Sequence, residues 1–254
     1  MEHVDDGGYG RMFADHYDEV MPKDSSADGV AAVLAELSRG RGPCLELGVG
    51  TGRIALPLAR RVGSVVGVDF SREMLALLEH DVQATGADVR PVLSDMRGYT
   101  DGAVYPLVYC VTGVLSGLTG RSEQRDAVLS WAECVEPGGR LVIEVQNPEA
   151  IALLHAGKAS DTVFQAHPEG GTGVLVSRVL DTERSLWHVS SAYFGTDRTK
   201  ITRETCRLVA PAELDSHATE AGLRLHARFG DWEKGPLTVG SGTYISVYER
   251  PAKA

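Results

Sequence analysis

The apolar positions divide the chain into two unlike parts. Through residue 147, short continuous apolar runs alternate with longer stretches in which apolar residues recur every three or four positions. The runs cover 44–47, 64–69, 89–93, 105–111 and 140–145. Runs of this length, bounded by turn residues, predict strands buried on both faces, and the stretches between them predict helices packed over those strands. One helix is expected over 28–38, stopped by Gly40-Arg41-Gly42-Pro43. A second follows Gly52, with Pro57 inside it, where a proline is expected to kink the helix or remove a hydrogen bond. A third is capped by Ser71 and buries Met74, Leu75, Leu77 and Leu78. A fourth spans about 122–135 and runs into the turn Glu136-Pro137-Gly138-Gly139. Alternating strands and helices are the pattern of an α/β fold.

Past Asn147-Pro148 the period changes. Segments 173–181, 186–194 and 200–209 alternate apolar and polar residues and are joined by polar, turn-rich links. They predict an antiparallel sheet inserted after the fifth strand. The middle segment places Trp187, Val189, Ser191 and Tyr193 on one face and Leu186, His188, Ser190 and Phe194 on the other. The first pattern then resumes, with a helix from Ala210 to Gly222 and a final hairpin of strands 223–229 and 243–249.

Composition narrows the function classes. The 254 residues carry a formal net charge of −10, which argues against a nucleic-acid partner and an acidic membrane surface. The start, Met1 to Gly8, is acidic and polar and does not resemble a signal peptide. No apolar run approaches the roughly 20 residues of a membrane span. Cys44, Cys110, Cys134 and Cys206 lack metal-site spacing. No metal is therefore expected, and a reducing cytoplasm is the expected location.

The chemistry is concentrated between Pro43 and Leu58. The strand Cys44-Leu45-Glu46-Leu47 ends in Gly48, Gly50 and Gly52, and a helical pattern follows. Glycines there permit positive φ and close approach of a ligand, while the free N–H groups of the next helix can face it. The spacing G-x-G-x-G lacks the third glycine position of a dinucleotide fingerprint. Asp69 ends the second strand, 17 residues past Gly52. That is near the roughly 20-residue spacing that brings a carboxylate to ribose hydroxyls.

The run E-L-G-x-G-x-G resembles motif I of the class I S-adenosylmethionine-dependent methyltransferases. Residues 43–146 carry the specific resemblance; beyond them it is architectural. It implies a Rossmann-like seven-stranded sheet with an antiparallel last hairpin, an N-terminal helical lid and an inserted antiparallel β lid. Residues 1–147 would form the lid and cofactor-binding half, 148–209 the insertion, and 210–254 the closing helix and hairpin. It also implies S-adenosyl-L-methionine as cofactor, cradled by Glu46, Gly48, Gly50 and Gly52. Asp69 would bind the ribose with Phe70 beside it, Asp95 the adenine amino group, and the N–H of Met96 a ring nitrogen. Val111 ends the fourth strand at the same site. Tyr17, in Phe13-Ala14-Asp15-His16-Tyr17-Asp18, would meet the methionyl end.

Small-molecule relatives, including sugar N-methyltransferases, often carry Asn or His where this chain has Gly113 and Gly117. The glycines are expected to enlarge the pocket and remove a possible base. His155, His167, His188, Tyr109 and Tyr193 remain candidate bases, and none is assigned. The insertion is expected to roof the pocket, with Trp187 and Tyr193 against a neutral or aromatic secondary metabolite. Alternatively it forms a homodimer interface. Three other readings stay open at this point: a cofactor-dependent cyclisation, a cofactor-binding protein without turnover, and a dehydrogenase.

Overall fold

The computed structural model describes residues 23–167, 172–195 and 199–252. Tyr17 and the expected N-terminal lid lie outside the described residues. The elements through β5 are α1 (Ser25–Leu37), β1 (Cys44–Leu47), α2 (Ala55–Val62), β2 (Val65–Asp69), α3 (Arg72–Thr85), β3 (Val89–Leu93), β4 (Tyr105–Cys110), α4 (Arg121–Glu133) and β5 (Val135–Gln146). Then follow α5 (Pro148–His155), β6 (Ser160–Ala166), β7 (Gly173–Asp181), β8 (Leu186–Phe194), β9 (Thr199–Arg207), α6 (Pro211–Glu220), β10 (Arg224–Phe229) and β11 (Thr243–Glu249). Single 3₁₀ turns cover Met96–Gly98 and Val114–Gly117.

Seven strands form one sheet in the order β10-β11-β5-β4-β1-β2-β3. β11 is antiparallel to both of its neighbours, so it alone runs against the rest. β1, β2 and β4 are buried at every position, as strands covered by helices on both faces must be. One core layer joins Leu34, Leu58 and Leu78 to Tyr109 and Val142; the other joins Trp131 and Leu214 to Leu45, Val108 and Tyr244.

Several expectations are corrected. α1 begins earlier than 28 because Asp24 caps it, accepting from Ser26 N at 2.9 Å. α2 begins at Ala55, so Pro57 lies in its first turn. N–H groups there have no intrahelical partner, so the proline neither kinks the helix nor removes a bond. Leu77 is exposed, whereas Met74, Leu75 and Leu78 are buried. Glu136 to Gly139 form a bulge within β5 rather than a turn before it: Tyr105 pairs with Val135, and Leu107 next pairs with Arg140. The bulge is held from outside the ladder, Gly138 N donating to Arg250 O at 2.8 Å.

The insertion holds more than three strands. Asn147 caps α5, accepting from Glu149 N at 3.1 Å. β6 adds a fourth strand, giving a separate sheet in the order β6-β7-β8-β9. Its two faces differ. Val189, Ser191, Thr202 and Cys206 are buried on the inner face. On that face Trp187 Nε1 donates to His155 Nε2 of α5 at 3.1 Å. The outer face leaves Phe164, Leu175, Val179, Phe194 and Ile201 exposed, with Phe164 and Phe194 edge to face at 6.0 Å.

β9 packs on the Val114–Gly117 turn, and one side chain fastens the two. Gln124 of α4 is fully buried and donates to Leu115 O and Arg207 O, both at 3.3 Å. Its Oε1 accepts from Arg207 Nη1 at 2.7 Å, and Arg207 Nη2 reaches Glu213 Oε1 at 2.8 Å. Gln124→Leu would leave a buried guanidinium half-paired and two carbonyls short of a donor. It is expected to lower stability by about 3 kcal/mol. Urea unfolding should show this as a lower midpoint at an unchanged slope.

Candidate functional site

The chain proceeds from β1 to β2 and β3 on one side, then returns to place β4 on the other side of β1. Ligands of open α/β sheets lie at such a reversal, beyond the carboxyl ends of the strands. The three glycines after β1 serve different ends there. A Cβ on Gly48 would stand 2.5 Å from Val114 Cγ1, and one on Gly52 would stand 2.4 Å from Leu78 Cδ1, so both are glycine for internal packing. Gly50, at φ +53°, would meet nothing within 4 Å. It therefore borders the open crevice.

Asp69 ties this turn to the next one. Its Oδ2 accepts from Gly50 N at 2.8 Å and its Oδ1 from Ser71 N at 2.9 Å. Burial pushes its carboxyl above the usual range, against the pull of these hydrogen bonds. Each oxygen keeps a lone pair for a ligand hydroxyl. Beside it Phe70 and Leu93 are 45% and 42% exposed, and Leu93 is the register partner of Asp69. They make an apolar shelf at the ends of β2 and β3. Asp95 lies just past this shelf and accepts from Arg97 N at 2.9 Å and Arg97 Nε at 2.7 Å. Burial raises its carboxyl, but Arg97 outweighs burial and holds it below the ordinary range. Met96 opens the following 3₁₀ turn, its carbonyl accepting from Trp131 Nε1 at 2.7 Å.

Glu46 lies beneath the cradle, only 3% exposed, and accepts from the Tyr109 hydroxyl at 2.9 Å. The two are register partners on β1 and β4. Burial pushes the Glu46 carboxyl up to about 8, opposed by the Tyr109 hydrogen bond and the Arg53 charge. Arg53 also donates to Thr112 Oγ1 at 3.0 Å. Thr112 follows Val111, which is buried, and has φ +61°, a strained conformation for a β-branched residue. Its N–H donates to Glu144 Oε2 at 2.7 Å, and Glu144 Oε1 accepts from Trp232 Nε1 at 3.1 Å. Arg53, Thr112, Glu144 and Trp232 thus join the ends of β1, β4 and β5.

The expected pocket at Gly113 is filled. A Cβ there would stand 2.4 Å from Gln146 Nε2, so the Gln146 amide occupies the space; Gly117 has nothing within 4 Å. Gln146 Oε1 and Ser116 Oγ are buried without a hydrogen-bond partner among the described residues.

The candidate bases separate by position. His155 is committed on both nitrogens, to Trp187 Nε1 and to Lys158 O at 3.1 Å. Since Nε2 accepts from the indole, Nδ1 carries the proton and the ring is neutral. Tyr109 is bound to Glu46. His188 is on the outer face, 3.0 Å from Thr205 Oγ1, and His167 follows β6, its N–H donating to Thr172 O. Tyr193 is half-buried on the inner face. Arg53, Thr112, Glu144 and Gln146 were not anticipated from the sequence. Arg53 had one available signal, its place directly after the last cradle glycine.

The Glu46 carboxyl makes stability depend on pH. Its folded value lies above its ordinary 4.5, so the folded state holds the proton more tightly. The resulting stabilisation is complete below about 4.5 and is lost as pH rises through about 8. Across this window wild-type stability should fall by up to about 1.4 kcal/mol per pH unit relative to Glu46→Gln. Chemical denaturation of both proteins at a series of pH values measures the difference.

Residues 44–139 match the family model described as a methyltransferase domain. The CcbJ methyltransferase from Streptomyces caelestis is 31% identical to this chain, covers 96% of it and 98% of its own chain, and superposes with a TM-score of 0.85. The dTDP-3-amino-3,4,6-trideoxy-alpha-D-glucopyranose N,N-dimethyltransferase of Streptomyces venezuelae is 26% identical over 240 residues, 89% of this chain and 92% of its own. CalS10 from Micromonospora echinaspora, an amino pentose methyltransferase seen with S-adenosylmethionine bound, shares the fold at a TM-score of 0.69 and 22% identity, covering 92% of this chain and 96% of its own. The open side of Gly50, the spare lone pairs of Asp69 and the apolar shelf of Phe70 and Leu93 suit a ribose and an adenine. The chain thus belongs to the class I S-adenosylmethionine-dependent methyltransferases, and S-adenosylmethionine is its cofactor.

Proposed function

We propose that this enzyme methylates a small molecule of the kind made by secondary metabolism. The observation that carries this reading is the inserted sheet. It stands beside the ends of β4 and β5, fastened by Gln124 to the turn after β4 and by Trp187 to the helix after β5. Such a wall encloses a compact ligand more readily than it admits a folded macromolecule. The amino-sugar relative points the same way.

S-adenosylmethionine supplies a methyl group already activated on a sulfonium. The protein's own residues therefore act chiefly by binding, alignment and exclusion of water. We assign Asp69 to the ribose hydroxyls, Gly50 to the close approach of the backbone, and Phe70 with Leu93 to the adenine faces. Asp95 and Met96 lie at the far end of the same shelf, beside the adenine edge. Glu46 sits too deep for direct contact and positions the cradle through Tyr109. Trp187 acts by holding the inserted sheet in place, since its indole N–H is committed to His155.

The acceptor class is tested with S-adenosylmethionine carrying a labelled methyl group, incubated with an extract that is then separated by size. Label is expected in the small-molecule fraction, and label in protein or nucleic acid overturns the proposal. The cofactor assignments are tested separately by calorimetry with S-adenosylhomocysteine. Asp69→Ala should weaken binding about tenfold to a hundredfold, the value of a charge-assisted hydrogen bond. Gly50→Val should also weaken it, by placing a branched side chain in the crevice at positive φ. Unchanged affinity in both folded variants would contradict a site at this turn.

A further inference from the structure

Among the described residues, every buried or half-buried arginine is matched, with one exception. Arg97, Arg125, Arg140, Arg178, Arg207 and Arg228 each pair with a carboxylate. Arg250 donates to the backbone carbonyls of Ala132, Glu133 and Val135. Arg53 is half-buried, and its one hydrogen bond among the described residues runs from Nη2 to Thr112 Oγ1 at 3.0 Å. No carboxylate among those residues lies within ion-pair distance of it. A guanidinium carries five N–H donors, so most of its capacity is unspent. Withdrawing such a cation from water without an anion beside it costs free energy.

The acids at the same strand ends are committed elsewhere. Glu144 accepts from Thr112 N with Oε2 and from Trp232 Nε1 with Oε1. Asp69 holds Gly50 N and Ser71 N. Glu46 feels the Arg53 charge, but burial beneath the cradle pushes its carboxyl up to about 8. At neutral pH it therefore keeps its proton and leaves Arg53 uncompensated.

Position tells which anion is missing. Arg53 directly follows Gly52, the last cradle glycine after β1, and it reaches Thr112 just past the end of β4. Its guanidinium thus stands between the carboxyl ends of β1 and β4, where the strand order reverses. Along the sheet from β3 to β4, three features succeed one another. The shelf of Leu93 and Phe70 lies at β3 and β2, the Asp69–Gly50 contact joins β2 to β1, and the Arg53–Thr112 contact joins β1 to β4. S-adenosylmethionine has the same linear order: adenine, ribose, then a methionyl tail whose α-carboxylate is the only anion of the molecule. With adenine and ribose assigned to the first two features, the tail is left the third. A planar carboxylate and a planar guanidinium match through two parallel N–H···O bonds.

We propose that Arg53 anchors the cofactor by its methionyl carboxylate, and so selects S-adenosylmethionine over adenosyl compounds that lack this group. The proposal rests on the ribose and adenine assignments made above. Arg53 then has two tasks, to bind the cofactor and to brace Thr112 in the turn after β4. A purely structural arginine would brace the turn alone, and the two cases differ in what its loss does to ligands with and without a carboxylate.

The test is calorimetry on the full chain with two ligands. One is S-adenosylhomocysteine; the other is 5′-(3-aminopropylthio)-5′-deoxyadenosine, the same molecule with hydrogen in place of the carboxylate. The wild type should prefer S-adenosylhomocysteine by about tenfold to a hundredfold, the value of a charge-assisted hydrogen bond. Arg53→Gln should lose this preference by weakening S-adenosylhomocysteine, with affinity for the decarboxylated ligand unchanged. Arg53→Lys keeps the charge but not the planar fork, and should cut the preference by about threefold to tenfold. Asp69→Ala should weaken both ligands alike and keep the preference, so failure of the ribose assignment is read separately from failure of the anchor. Equal affinity of the wild type for the two ligands overturns the proposal. A preference that survives in Arg53→Gln, or is undiminished in Arg53→Lys, overturns it too. Equal weakening of both ligands in Arg53→Gln also overturns it, since that marks a brace and not an anchor.

Discussion

The catalytic half of this protein depends on the two backbone hydrogen bonds that Asp69 accepts. A parallel sheet delivers its strand ends to one edge but does not fix the loops that leave them. Asp69 fixes two such loops at once: Gly50 N, in the turn after β1, and Ser71 N, at the start of α3, converge on its two oxygens. Ser71 in turn caps α3, accepting from Met74 N at 3.2 Å. One desolvated carboxylate therefore sets the shape of the cradle and the origin of the next helix. Its burial costs free energy that the two N–H donors offset only in part, and its remaining lone pairs are presented to the crevice already aligned.

A second constraint crosses the sheet in the other direction. Thr112 occupies left-handed backbone space that a β-branched residue disfavours, at a cost of about 1–3 kcal/mol. Arg53 from the cradle holds its hydroxyl, and Glu144 from β5 holds its N–H. Strain of this kind persists only where the surroundings over-determine it. Here they do so through β1, β4 and β5 together, so the donor side and the acceptor side of the crevice share one set of polar contacts.

How much of this was legible in the sequence depended on whether a feature is local. The glycine turn, Asp69 and the capping Ser71 declare themselves through short spacings, and the central strands through unbroken apolar runs. β7, β8 and β9 were visible because each alternates over its length. β6 was not, because Ser160-Asp161-Thr162-Val163-Phe164-Gln165-Ala166 sets Val163 and Phe164 side by side with no alternating pattern around them. Pro57 looked disruptive only because the start of α2 was unmarked; no side chain caps that helix. Gly113 suggested open space because a sequence cannot show that Gln146, 33 residues later, folds its amide into the gap. The Arg53–Thr112–Glu144 contacts were invisible for the same reason, since each joins residues from different strands.

This difference follows from what the two halves of the site must recognise. A cofactor common to many enzymes can be held largely by backbone: a turn, a helix start and one acid. Those features have few alternatives and so leave a fixed trace in sequence. An acceptor is chosen by side chains, and under the proposed reading they come from a sheet whose inner face is polar at Ser191, Thr202 and Glu204 and apolar at Trp187 and Val189. Alternation predicts that such residues share a face, but it does not tell which face is covered. Only docking makes that distinction. It becomes visible when Trp187 of the inner face meets His155, while Phe164, Phe194 and Ile201 stay exposed on the other face. If that inner face walls the acceptor site, as proposed, specificity depends on how the inserted sheet is fastened as well as on which residues line it.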